Sequence, residues 1–168
     1  DVIHKSELDA VKLNIKNKEE LLNAANLIEK NFSSKNYKVD SYLIQSFLKP
    51  KHEILIGGFR DPSFGPMIMF GSGGKYVEVF DDTSLKSAYL SEDDIDDMIN
   101  STKMGKILKG VRGEAPADIK KLKEIIFSSA KMLVENKNII EFDFNPMIYT
   151  EEGDFSVVDI RIKLSENK

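Results

Sequence analysis

The 168-residue sequence has no cysteine, only two histidines, and no apolar run long enough to cross a membrane. Without thiols there are no disulfides, no thiolate catalysis and no zinc–cysteine site, which fits a reducing cytoplasm. His4 and His52 lie in unlike surroundings, so a two-histidine metal site has no support, and no nucleophile-elbow pattern offers a serine triad. Positive charge is also not in excess. The 24 Lys and Arg against 28 Asp and Glu leave a net charge of −4, which gives no electrostatic reason to expect nucleic acid. Signal-peptide patterns, internal repeats and low-complexity segments are missing too. There is no initiator methionine ahead of Asp1-Val2-Ile3-His4, and the chain reads as a piece of something longer. What is present, 41% hydrophobic and 31% charged residues over this length, is enough for one domain with a sizeable core.

Taken in order, Ala10 to Ile15 alternates as a strand does, and Asn17 followed by Glu20 is a capping box. It opens a helix to about Phe32 whose buried side would be Leu21, Ala24, Ala25, Leu27 and Ile28. Ser41 to Leu48 and His52 to Phe59 read as a hairpin about Lys49-Pro50-Lys51. Met67 to Phe70, Tyr76 to Phe80 and Leu85 to Leu90 are further strands. Ser91 caps a helix with the apolar stripe Ile95, Met98 and Ile99, preceded by acids that read as a solvated face. After Pro116, Ile119, Leu122, Ile126, Ala130 and Leu133 mark a long amphipathic helix. Hairpin-grouped strands with helices between the groups predict an α+β domain, an antiparallel sheet flanked by helices.

Three places carry possible chemistry. In Glu141 to Arg161, period-two alternation puts Glu141, Asp143 and Asn145 on one strand face, and Pro146 calls for a bend or an edge. A four-residue loop at Glu151 to Asp154 would pair Thr150 with Phe155 and set Asn145 opposite Ile160. A bulge at Gly153 would absorb that one-residue offset and bring Asn145 to Asp159, two hard oxygen ligands suited to magnesium. The same residues also fit an ordinary half-solvated hairpin. Gly71-Ser72-Gly73-Gly74 can cradle an oxyanion on bare amides or be a tight turn, and it lacks the lysine of a Walker loop. Arg112, between Gly110 and Gly113, can fork onto phosphate or carboxylate, or lie free on the surface.

Several motifs stand together in one order: His4-Lys5-Ser6, Arg60 to Pro66, Met69 to Gly74, Val77-Glu78-Val79, Gly110 to Gly113, Asp143 to Pro146 and Val158 to Arg161. This order resembles the ATP-grasp part of the ADP-forming (NDP-forming) acyl-CoA synthetases, the acetate–CoA ligase β-subunit type related to succinyl-CoA synthetase. The resemblance covers nearly the whole chain and implies an ATP-grasp-like fold, as one domain over 1–168 lacking an upstream lysine-bearing strand. It implies a ligase that interconverts acyl-CoA, ADP and phosphate with acid, CoA and ATP, using magnesium. The partner it implies is a CoA-binding α-type subunit or domain that carries a phosphohistidine. By the same resemblance Asn145 and Asp159 are the metal ligands and Asp143 lies close by. Arg112 serves the phosphate region, and His4 is a transient phosphoryl acceptor. Gln45, Phe47 and Leu48 belong to a strand that holds adenine, Glu53 reaches the ribose side, and Gly73 and Gly74 face the phosphohistidine. Neither nucleic acid nor membrane is an implied partner. Departures from the pattern are Asp9 and Ala10 in place of two glycines, Lys86 in place of arginine and Tyr89 in place of proline. A degenerate copy of this module also occurs as a regulatory domain beside lysine acetyltransferases, which is the alternative reading.

Overall fold

Two compact units divide the chain, Asp1–Leu48 and Lys49–Lys168. The computed structural model describes residues 10–74 and 77–165, with Glu78 and Phe80 described by their backbone alone. In the first unit Asn17 caps the helix as expected, but the reciprocal half of the capping box, from the Asn17 N–H to Glu20, is not made. Asn17 Oδ1 accepts the Glu20 N–H at 2.9 Å, and Glu20 Oε2 accepts the Lys16 N–H at 2.8 Å. Helix α1 spans Lys18–Ser33, yet none of its residues is buried. The expected strands at 10–15 and 41–48 are not formed among the described residues, where both stretches are irregular. A strand needs a neighbour to take its N–H and C=O groups, and alternation alone cannot supply one. Consequently the expected hairpin about Lys49-Pro50-Lys51 is absent, and only its second arm becomes a strand.

The second unit is an antiparallel sheet with helices on one face. Its elements are β1 (Pro50–Asp61), β2 (Gly65–Ser72), α2 (Val77–Phe80), β3 (Thr83–Ser87), α3 (Glu92–Ser101), α4 (Lys103–Leu108), α5 (Ile119–Glu135), β4 (Ile139–Thr150), β5 (Phe155–Val157) and β6 (Ile160–Leu164). Strand order is β3-β2-β1-β4, with β5 and β6 both pairing with the free side of β4. Val77–Phe80 is a helical turn and not the strand its alternation predicts. The edge of β2 that such a strand would need is taken by β3, paired from Gly71–Thr83 to Met67–Ser87.

Alternation along the strands sends Ile54, Ile56, Ile68, Phe70 and Phe142 to one face, where they pack with Met98, Ile99, Leu108, Leu122, Ile126 and Leu133 from the helices. Each such side chain, fully withdrawn from water, contributes about 1.5–3 kcal/mol. The stripe predicted for α3 is buried, as is that of α5 apart from the half-buried Ile119, with Ser129 added to it. Ser91 caps α3, and its hydrogen bonds to Asp94, with Lys86 alongside, pull the Asp94 carboxyl down to about 2. The acids of α3 are only partly a solvated face. Lys86 Nζ lies 3.1 Å from Asp94 and 3.2 Å from Asp97, and Lys123 lies 2.7 Å from Asp96.

Candidate nucleotide and metal site

Asn145 and Asp159 sit where two irregularities of the sheet coincide. β5 pairs with β4 as Tyr149–Phe155, Ile148–Ser156 and Met147–Val157, and β6 resumes as Phe144–Ile160 and Asp143–Arg161. Both runs share one register, so the unpaired positions between them set Asn145 across from Asp159 and Pro146 across from Val158. The Val158 N–H donates to the Pro146 carbonyl at 3.2 Å. The expected Thr150–Phe155 pair is not made. The Thr150 N–H donates instead to the Asp154 carbonyl at 2.8 Å, across a turn in which Gly153 has φ 92°. That left-handed glycine takes up the one-residue offset, as the sequence reading required.

On the other side of β4 the register against β1 shifts between Ile54–Met147 and Ile56–Phe144, so Asn145 and Pro146 together face Leu55. The Asn145–Pro146 peptide is cis. The shift is visible in the packing: Phe142 and Phe144 turn to the core before it, Met147 and Tyr149 after it. A bulge of this kind re-aims one side chain, here Asn145. Its Oδ1 accepts the Gly74 N–H at 2.7 Å, which leaves the amide oxygen a second lone pair.

The amides of the glycine loop are therefore not bare, contrary to the sequence expectation. The Gly74 N–H is held by Asn145, and the Gly73 N–H donates to the Glu53 carbonyl at 2.8 Å. The loop lies hard against β1. A Cβ on Gly73 would stand 2.4 Å from the Ile54 carbonyl carbon, and one on Gly74, at φ 82°, 1.7 Å from Glu53 Oε2. Glu53, Gly73, Gly74 and Asn145 thus form one contact set, drawn from two strands and a loop.

Asp82 anchors the start of this loop, and sequence reasoning missed it. It is 5% exposed. Its carboxylate accepts the Ser72 hydroxyl at 2.6 Å, the Lys103 N–H at 2.6 Å and the Met104 N–H at 2.9 Å, while its carbonyl accepts the Ser72 N–H at 3.0 Å. Burial alone would raise its pKa, but the Ser72 hydroxyl and the two amides of the α4 N-terminus outweigh this and hold it below the ordinary value. Nothing local distinguishes Asp82 from Asp81, so no sequence signal marks it.

Asp143 lies one β4 step before Asn145 on the face away from the helices. Burial raises its pKa; Arg161 opposes the rise, and Asp159 and Glu141 add to it. Glu141, Asp143, Arg161, Ile162 and Lys163 line one shallow groove. Arg112 is exposed at φ 52° between Gly110 and Gly113, at 92° and 87°. Its loop is tied to β1 by Glu114, 2.8 Å from Lys51 Nζ. Gln45, Phe47 and Leu48 belong to the strand-free stretch of the first unit, and Phe47 is 51% exposed. His4 lies outside the described residues.

A family model described as an ATP-grasp domain matches residues 1–164. The chain belongs to the ATP-grasp family. Relatives of the chain include ADP-forming CoA ligases. The 4-hydroxybutyrate–CoA ligase (ADP-forming) of Nitrosopumilus maritimus is 42% identical over 166 residues, covering 97% of this chain and 24% of that protein. The β subunit of acetate–CoA ligase (ADP-forming) I of Pyrococcus furiosus is 40% identical over 167 residues, covering 97% of this chain and 71% of the subunit. Among solved structures, the acetyl-CoA synthetase 1 of Ca. Korarchaeum cryptofilum superposes with a TM-score of 0.85 at 41% identity, over 98% of this chain and 72% of that one. That structure holds coenzyme A and Mg-AMPPCP, with its phosphohistidine segment pointing towards the nucleotide-binding site. The chain thus spans about a quarter of the length of the one-chain ligase and under three quarters of the β subunit.

One of the motifs that carried the resemblance, Arg60 to Pro66, has a structural role in this ATP-grasp domain. Arg60 closes the C-terminus of α5: its Nε donates to the Ile139 carbonyl at 2.8 Å, and its Nη2 donates to the carbonyls of Asn136 and Leu133. A cation is favoured there by the helix dipole. Asp61 Oδ1 accepts the N–H groups of Ser63 and Phe64 at 2.8 and 2.9 Å and shapes the turn into β2. Lys86 reaches the acids of α3.

Proposed function

We propose that this ATP-grasp domain is the nucleotide-binding part of an ADP-forming acyl-CoA synthetase. In this reading it exchanges a phosphoryl group between a phosphohistidine on a CoA-binding α-type partner and ADP. The phosphorus–nitrogen bond to histidine breaks, a terminal oxygen of ADP forms the new phosphorus–oxygen bond, and the histidine is released for another cycle. The whole enzyme would convert acyl-CoA, ADP and phosphate to acid, CoA and ATP, reversibly, in the cytoplasm where these pools are held. The register that sets Asn145 across from Asp159 carries the proposal, in a chain 40% identical to an acetate–CoA ligase β subunit.

The donor set fits magnesium. An amide oxygen and a carboxylate are hard ligands, and Gly74 orients the amide with its oxygen outward to the loop. Among the described residues no three His, Asp or Glu side chains converge on a metal point. Two protein ligands leave room for phosphate oxygens and water, the usual pattern when magnesium is bound with a nucleotide. When bound, the ion supplies charge neutralisation for the phosphates. The chain's own contributions are positional: Asn145 and Asp159 hold the ion, Gly73 and Gly74 shape the wall at which phosphoryl arrives, and Arg112 stands ready for phosphate. Gln45, Phe47 and Leu48 are assigned to adenine, Glu53 to the ribose side, and Asp143 and His4 to the transfer itself.

The test is thermal unfolding with ADP and magnesium together and singly. A ligand at one hundred times its dissociation constant adds about 2.7 kcal/mol to native stability. Together they should raise the melting temperature by several degrees, and replacing Asn145 and Asp159 by alanine should remove the magnesium-dependent part. An unchanged response in that double variant would refute the metal assignment.

A further inference from the structure

Two cations remain unassigned beside the site. Arg161 and Lys163 lie on β6 at steps of two from Asp159, which immediately precedes the strand in the same register, so alternation puts all three on the face opposite the Cβ atoms of Ile160, Ile162 and Leu164. Their partners in register are Asp143 and Glu141, and these four residues line a single groove together with Ile162, one step along the sheet from Asn145 and Asp159. Opposite charges directly across an antiparallel pair ordinarily close into ion pairs. Here neither cation does. Among the described residues neither forms an ion pair or a side-chain hydrogen bond, and the Arg161 charge lowers the Asp143 pKa without a hydrogen bond to it. Lys163 and Arg161 are also both exposed, on a strand that has no partner on its outer side among the described residues.

We infer that Arg161, supported by Lys163, binds the phosphate tail of the nucleoside diphosphate, and that it separates diphosphates from monophosphates. The inference rests on the nucleotide-binding reading above. Asp159 immediately precedes β6, and two residues of strand rise separate it from Arg161 by about 6.6–6.8 Å. The reach of an arginine side chain covers that distance, and its planar fork takes two phosphate oxygens at once. Without a ligand, Asp143 and Glu141 balance the two cations, so the groove has little net charge of its own. An anion is favoured there once the Asn145–Asp159 pair has brought in a divalent ion. Nucleotide tail and metal would therefore be bound together, on two adjacent steps of one strand face. The guanidinium sits on a regular strand and not on a loop, which gives it a defined direction.

The experiment is calorimetric titration of the full chain with Mg-ADP and with AMP, for the wild type, Arg161→Gln and Arg161→Lys. The melting temperature without nucleotide is recorded for each. Loss of one charge-assisted contact predicts Mg-ADP binding weakened by about 10- to 100-fold in Arg161→Gln. AMP binding and the melting temperature should be unchanged, with part of the Mg-ADP affinity restored in Arg161→Lys. Equal Mg-ADP affinity in wild type and Arg161→Gln overturns the inference and leaves the nucleotide-binding reading standing. Equal losses for AMP and Mg-ADP, or a fall in melting temperature that accounts for the loss, also overturn it. A wild-type chain that binds no nucleotide overturns both.

Discussion

Asp82 shows how one buried carboxylate can hold two elements in place. Ser72 leads into the glycine loop, Lys103 and Met104 begin α4, and all three give their donors to Asp82. Replacing it by alanine leaves these donors without a charged acceptor, and a loss of about 3 kcal/mol is expected in denaturant unfolding. Its native pKa is depressed below the ordinary 3.8. Its contribution to stability is therefore complete above that value and is lost as pH falls through the lower native value. Asp82→Asn should unfold with a flatter acid limb than the wild type; identical limbs would show that Asp82 carries no such linkage. Gly73 and Gly74 differ in what confines them. Gly73→Ala meets the fixed backbone of Ile54, whereas Gly74→Ala meets the movable end of Glu53 and a positive φ. A double-mutant cycle with Glu53→Ala should recover part of the Gly74→Ala loss and none of the larger Gly73→Ala loss.

Elements whose pattern and partner agreed came out as read. The stripes of α3 and α5 are buried because an amphipathic helix needs only one face of the sheet to cover it. The N-caps at Asn17 and Ser91 are local, and both are formed, the one at Ser91 as a full capping box. Strands did worse, since a strand exists only through its neighbour. Alternation at 41–48 and 77–80 was real, but the first stretch meets no ladder among the described residues and the second finds the edge of β2 already occupied by β3. The Asn145–Asp159 juxtaposition was legible because Gly153 announced the offset in the turn. The bulge opposite Leu55, which re-aims Asn145, was not legible beyond the proline.

At the scale of the molecule, stability is unevenly shared. Among the described residues the core cluster lies within Lys49–Lys168, while α1 buries none of its residues. Local opening should therefore cost much less in the first unit. Amide exchange by mass spectrometry should show residues 18–48 labelled well before β1, β4 and α5. On adding Mg-ADP, the amides of Gln45 to Leu48 should slow if their backbone holds adenine as proposed; labelling that ignores nucleotide would remove those residues from the site.

From sequence alone came the α+β class, the helical stripes, the caps, the family resemblance and the pair Asn145 and Asp159. These depend on local geometry and on residue order, which a single chain displays directly. Tertiary structure decided which alternating stretches became strands, that the amides of Gly73 and Gly74 are already engaged, and that Asp82 is a buried anchor. It also brought Arg161 and Lys163 onto the face of Asp159 without closing them onto Asp143 and Glu141. Each of those outcomes depends on a partner distant in the chain, whose register is set by bulges and packing and not by the residues next door.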